Sequence, residues 1–199
     1  MMDSTMQFEA GNWYHIYNRG NNRKRIFFER DNYLFFLQKV RYHWLDHCKI
    51  IAYCLIPNHF HFLVATSNHL RDTSLNKAIG VTLRSYTRAV NKRLSRTGSL
   101  FQQRTKAKCL NSPGDLKSAD GLDYALVCFR YIHQNPFKAG LVQAMGEWEF
   151  SSYPDFAGLR NGTLPAKDYV YEWLGLNKET EFIKVSQQAL APDLVAACF

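Results

Sequence analysis

The chain of 199 residues is 46% apolar and 15% aromatic, which is enough to bury a core and excludes a disordered protein. It has no apolar run near the roughly 18–20 residues that a membrane-spanning helix needs, and its start lacks a basic-then-apolar secretory pattern, so a cytosolic protein with no membrane partner is expected. The net charge of +8 is concentrated: Thr73 to Gly114 holds nine basic residues and no acidic one.

Such a one-sided run favours a polyanionic partner, because neutralising phosphates releases counterions. A merely solvated basic face is the alternative. Cys48, Cys54, Cys109, Cys128 and Cys198 are scattered and never form a CxxC pair. That argues against a disulfide framework or a zinc ribbon, and reduced, mostly buried thiols are expected.

In chain order, Asn12 to Asn18 is rich in strand formers and ends at the turn signal Arg19-Gly20-Asn21-Asn22. Asp31 is placed to cap a helix over Asn32 to His47. Lys49 to Ile56 is apolar and β-rich, and Pro57-Asn58 interrupts it before His59, so two adjacent strands are expected. A second helix, starting at Asp72 or Thr73, carries Leu75, Ile79, Leu83, Tyr86 and Val90 on one side, with Arg84, Arg88 and Lys92 on another.

Thr97-Gly98 ends that helix, and Leu100 to Leu110 reads as a strand before the turn at Asn111 to Gly114. A third helix runs from Asp120 or Asp123 to Gln134, where Pro136 is expected to stop it. The order strand, helix, strand, strand, helix, strand, helix gives an α+β fold, an antiparallel sheet covered by helices. Beyond Tyr153 lies a looser tract and a final helical stretch around Tyr169 to Leu190, without a chemical motif.

His59 and His61 are two apart on a strand, so both imidazoles point to one face and can share a metal ion. Packing or surface histidines are the ordinary alternative. Tyr131 and Asn135 are four apart on a helix and project from one face. A phenol beside an amide oxygen suits phosphoryl transfer when a metal takes up charge developing on phosphate oxygens.

Four stretches together resemble the REP-associated tyrosine transposases, single-tyrosine members of the HUH (His-hydrophobe-His) nuclease superfamily. These are Tyr14-His15-Ile16-Tyr17-Asn18-Arg19-Gly20, Pro57-Asn58-His59-Phe60-His61-Phe62-Leu63, the Tyr131-Ile-x-x-Asn135-Pro136 motif, and Trp148 to Tyr153. The resemblance covers residues 12–153 and rests on their combined order and spacing.

It implies a ferredoxin-like catalytic domain over residues 1–153, of the HUH single-tyrosine transposase fold, with a helical extension over 154–199. By the same match, His59, His61 and Asn135 would ligate Mg²⁺ or Mn²⁺. Tyr131 would attack a phosphate of single-stranded DNA, forming a 5′-phosphotyrosine bond and releasing a 3′-hydroxyl. Family members process hairpins of repetitive extragenic palindromes, so single-stranded or hairpin DNA is the implied partner. Some relatives are homodimers and others monomers, and both states stay open here.

Arg84, Arg88 and Lys92 on one helix, with Arg104, Lys106 and Lys108 alternating along a strand, are the expected DNA contacts. Arg19, Arg23, Lys24 and Arg25 around Gly20 form a basic loop that either clamps phosphates or is a solvated turn. Asn135 precedes a proline, where turn chemistry is its ordinary role, and Gln134 or a water is an alternative ligand. His133 points away from Tyr131, His15 either approaches the metal or DNA or, as its ordinary role, is a satisfied core histidine, and Trp148, Phe150 and Tyr153 either stack on bases or pack the core. The rival readings are a DNA-binding protein that has lost catalysis, which the two histidines and Tyr131 argue against, and a replication initiator or relaxase, which usually carries extra domains.

Overall fold

A computed structural model describes residues 7–69, 74–110 and 124–196. Four strands, β1 (Trp13–Arg19), β2 (Cys48–Ile56), β3 (His59–Thr66) and β4 (Lys106–Cys109), form one antiparallel sheet in the order β2-β3-β1-β4. With α1 (Arg30–Trp44) between β1 and β2, and α2 (Ser74–Arg93) between β3 and β4, this is the ferredoxin-like βαββαβ topology. A further helix, α3 (Tyr124–Lys138), packs on β2 and β3, and α4 (Tyr153–Phe156), α5 (Lys167–Leu174), α6 (Glu179–Gln187) and α7 (Pro192–Ala196) follow.

Strand alternation splits the core in two. Tyr14 and Ile16 of β1 and Phe60, Phe62 and Val64 of β3 bury against α1 and α2. Trp13, Leu63 and Ala65 point the other way, into a cluster with Cys128, Phe129 and Ile132 of α3. A bulge at Ile51 breaks the β2 register and adds both Ile51 and Ala52 to the α3 side. Phe156, Val170 and Phe182 join the same cluster, so residues beyond Tyr153 pack onto α3.

The exposed edge of β2 is covered by chain that follows α3. Leu55 N donates to Phe150 O at 2.9 Å, Ser152 N to Tyr53 O at 3.0 Å, and Ala166 N to Ile50 O at 2.8 Å. Trp148 Nε1 donates to Leu55 O at 2.9 Å, and Phe150 and Tyr153 are buried, so this stretch packs the core and protects a sheet edge.

Several boundaries differ from expectation. The α1 cap is Glu29, with Asn32 Oδ1 accepting from the backbone of Phe28 and Glu29, so Asp31 lies inside the first turn. The helix ends at Trp44 because His47 N turns back onto Trp44 O. Only Lys106–Cys109 of the expected strand is a strand, since Leu100 and Phe101 drop into the α1/α2 core. The expected start of α2 at Asp72 or Thr73, the turn at 111–114 and the start of α3 lie outside the described residues.

The stop at Pro136 is a correction. α3 continues through Pro136 to Lys138 and ends where Gly140, at φ +68°, donates to Phe137 O while Leu141 N donates to Pro136 O. That is a Schellman closure, which a left-handed glycine permits. Proline removes one donor from the helix ladder, and burial of Phe129, Ile132 and Pro136 itself offsets that loss.

Among the described residues no helix is long and apolar enough to cross a membrane. Cys48, Cys54 and Cys128 are buried free thiols, Cys109 is exposed, and Cys198 lies outside the described residues.

Candidate active site

The β2–β3 connection is only Pro57-Asn58, and the loop after β1 grips it. Gly20 N donates to Asn58 O at 2.8 Å, and Ile26 and Phe27 N donate to Pro57 O at 2.8 and 3.0 Å. Gly20 is required there, because a Cβ would lie 2.0 Å from Lys24 O. This tether fixes where β3 begins, and so where His59 stands.

His59 and His61 open β3 on its α3 side. Across from them, the helical spacing of α3 brings Tyr131, Asn135 and Lys138 onto one stripe. Together with Tyr17, Asn18, Arg19 and Ile56 these side chains line a cavity of about 300 Å³. The Tyr131 ring stands edge-on to His61 at 5.4 Å between centroids. Asn135 Nδ2 donates to Tyr131 Oη at 2.9 Å. His133 lies on the opposite side of α3, wholly buried, with Nε2 2.7 Å from Ser152 Oγ.

Each histidine is oriented by a neighbour at Nδ1. His59 Nδ1 is 2.7 Å from Asn58 Oδ1, and the Asn58 amide is held that way round by Nδ2 donating to Arg23 O. An amide oxygen only accepts, so His59 carries its proton on Nδ1 and keeps its lone pair on Nε2. His61 Nδ1 is 2.9 Å from His15 Nε2. Sequence reasoning gave Asn58 no role and set a place for His15 near the metal below a core role. Asn58 sits beside His59 in the quoted motif, and His15 alternates with Tyr17 and Arg19 on one face of β1, which was the signal available for it.

Burial sets the charge states. His59 is held down to about 4 by desolvation, helped by the charge of Arg19 and opposed by a hydrogen bond with the Asn135 side chain. His61 is pushed well below the ordinary histidine range by burial, then by His15, His59 and Arg19. Tyr131 is pushed up to about 12 by burial, against the lowering effects of the Asn135 hydrogen bond and Arg19. At neutral pH both imidazoles are uncharged and the phenol keeps its proton. Such weakly basic imidazoles are poor proton acceptors at neutral pH, and each keeps one ring lone pair.

The Asn135 contact favours charged His59, as an acceptor oxygen does, while Asn135 Nδ2 is turned to Tyr131. His59 Nε2 and the Asn135 oxygen are lone-pair groups on one cavity, which a cation there can satisfy. Among the described residues no three His, Cys, Asp or Glu side chains gather as a metal site.

Arg19 ends β1 and lines the cavity, so it belongs to the site rather than to the loop beyond it. Arg23, Lys24 and Arg25 are exposed on that loop and do not line the cavity. A second hollow of about 280 Å³ adjoins the first through Tyr17, Asn18 and Arg19, and adds Gln102, Arg104 and Lys106. A groove of about 950 Å³ then runs between α2 and residues 96–105, with Arg84, Arg88, Arg96 and Arg104 on its walls. Lys92 does not line it, and neighbouring Arg93 is ion-paired with Glu29. Lys106 and Lys108 share the site face of β4 opposite Tyr17 and His15, whereas Arg104 precedes that strand, contrary to the expected alternation of all three.

The fold and the site define an α+β protein whose ferredoxin-like sheet carries a histidine pair under a tyrosine-bearing helix. No protein-family model matches the sequence, and no curated protein does. Among solved structures, the chain is similar to a REP-associated tyrosine transposase bound to a REP hairpin, with TM-score 0.57 and 20% identity, over 80% of this chain and 88% of that one. At that identity the likeness is one of fold.

Proposed function

We propose that this protein cuts and rejoins single-stranded DNA, with Tyr131 as the nucleophile. The observation that supports it most is the convergence of Tyr131, Asn135, His59 and His61 on one cavity, with the Asn135 amide on the tyrosine oxygen. The solved neighbour's REP hairpin and the chain of basic hollows leading to this cavity support DNA as the substrate.

In the reaction, Tyr131 Oη bonds to the scissile phosphorus as the bond to the 3′-oxygen breaks. The phenol gives up its proton and the leaving oxygen gains one, so a 3′-hydroxyl and a 5′-phosphotyrosine result. Attack by a 3′-hydroxyl reverses the step and rejoins DNA without ATP, since the phosphotyrosine keeps the bond energy. Asn135 and Arg19 favour the phenolate that develops on Tyr131. Arg19, which lines the same cavity, would meet the phosphate with a fixed positive charge.

His59, His61 and the Asn135 oxygen would hold Mg²⁺ or Mn²⁺. Bound there, the cation would neutralise charge on the phosphate oxygens, undiminished by ligands that carry none. The groove walled by Arg84, Arg88 and Arg104 would hold DNA on its way to the cavity.

The test is incubation with 3′-end-labelled hairpin and single-stranded DNA in Mn²⁺, followed by denaturing electrophoresis. Wild-type protein should carry label, and Tyr131→Phe should bind DNA without carrying it. Undiminished strand cleavage by Tyr131→Phe overturns the assignment, and tight binding without any adduct leaves a DNA-binding protein.

A further inference from the structure

We propose that His15 is a positioning residue that holds His61 as the Nδ1–H tautomer, so that its Nε2 lone pair is kept for a cation at the site. The inference rests on the reading of His59 and His61 as metal ligands. It adds a residue that touches neither DNA nor the cation and acts through His61.

The geometry is specific. His15 is wholly buried on β1, two residues along from Tyr17, which pairs with His61 across the β1–β3 ladder. Its Nε2 lies 2.9 Å from His61 Nδ1. The His15 ring stacks on Tyr17 at 4.7 Å and lies nearly parallel to His61 at 5.1 Å, so its rotation is fixed from two sides. Tyr17 in turn has Lys106 Nζ 5.7 Å from its ring centroid.

A histidine that only fills a core can be satisfied by any small polar group. His133, equally buried, takes the hydroxyl of Ser152. His15 instead meets a second imidazole. Two neutral imidazoles joined at 2.9 Å share one proton, and it sits on one nitrogen or the other. If His15 holds it, His61 carries its own proton on Nε2 and has nothing to offer a cation. If His61 Nδ1 holds it, His15 accepts and Nε2 of His61 is a ligand.

The neighbouring pair argues for the second arrangement. His59 is fixed with its proton on Nδ1 by Asn58. His15 plays for His61 the part that Asn58 plays for His59, and both Nε2 atoms then serve one site. Metal-bound histidines ordinarily need such a partner, and its loss weakens metal affinity about 10–100-fold.

Two substitutions separate tautomer control from packing. His15→Phe keeps an aromatic ring for the Tyr17 stack and removes the acceptor, whereas His15→Gln reaches the same place with an amide oxygen. Calorimetric titration of each whole protein with Mn²⁺, without DNA, should give His15→Phe an affinity at least about tenfold weaker than wild type, with His15→Gln within about threefold. Wild-type affinity in a folded His15→Phe overturns the proposal, and so does an equal loss in both variants, which would mean packing alone.

Failure of the wild type itself to bind Mn²⁺ removes the metal-site reading and this proposal with it, and is read before any variant is compared. Should His15→Phe not fold, nitrogen NMR of the metal-free wild-type protein decides. A proton on His61 Nδ1 is expected, and one on Nε2 overturns the proposal.

Discussion

The two faces of the sheet are built from alternate residues of the same strands and differ in kind. Toward α1 and α2, β1 and β3 present Tyr14, Ile16, Phe60, Phe62 and Val64, an apolar surface closed by Trp44 and Tyr86. Toward α3, the intervening positions present Trp13, Leu63 and Ala65 to a second apolar cluster, and His15, Tyr17, Arg19, His59 and His61 to the cavity. The period of two thus gives one face to scaffold and lets the other combine scaffold with chemistry, within a single hairpin and its neighbour. The rigid apolar side holds the backbone on which the polar side is aligned, and the polar side carries buried groups that cost stability unless each is satisfied.

The sharpest way to break this division is Phe62→Ala. Phe62 is wholly buried between Trp44 and Tyr53, at 4.9 and 5.9 Å between ring centroids, and lies next to His61 on the chain. Loss of the ring should cost about 3–5 kcal/mol, read as a lower urea midpoint. Adduct formation per folded molecule at low temperature should stay near wild type. A large loss of activity at unchanged stability would mean that the two faces are not separable.

A smaller effect tests the α3 side. His133 is held down to about 3 by burial, so between that value and the ordinary 6.5 the unfolded chain binds a proton that the folded one refuses. Stability is therefore greatest above pH 6.5 and falls as pH drops, by about 1.4 kcal/mol for each unit from this residue alone. Urea unfolding at pH 7, 6 and 5 should show a fall at least that steep, since His59 and His61 act in the same sense, and His133→Gln, which can still meet Ser152, should be shallower by about that amount. An unchanged slope would place the acid sensitivity of this face elsewhere.

What the sequence made legible follows the same division. Alternation and helical spacing placed β1, the β2–β3 pair and the buried side of α2, and they put His59 beside His61 and Tyr131 above Asn135. Those are local periodicities, carried by residues within a turn or two of one another. The contacts that orient the site are not local. His61 Nδ1 meets His15, 46 positions away, and the edge of β2 is closed by residues about 100 positions later. Pro136 misled for a related reason. The rule that proline ends a helix weighs a lost backbone bond, whereas the burial that keeps α3 helical comes from β2, β3 and the later helices. Asn135 stays one turn below Tyr131 only because the helix continues.

The smallest effect concerns α2, which belongs to both descriptions. Its inner side buries Leu75, Ile79, Tyr86 and Val90 in the scaffold core, while Arg84 and Arg88 are exposed on the groove that leads toward the site. Arg88→Ala removes no buried contact, so its stability should stay within about 0.5 kcal/mol of wild type. If the groove holds a DNA backbone, log affinity for hairpin DNA against log salt should become shallower by about 1. Lys92→Ala, one turn on but outside the groove, is the control and should leave the slope unchanged. Equal slopes for both variants would mean that DNA does not follow this groove. A change confined to Arg88 would mean that the scaffold face supplies binding from its outer surface while the α3 face supplies the chemistry.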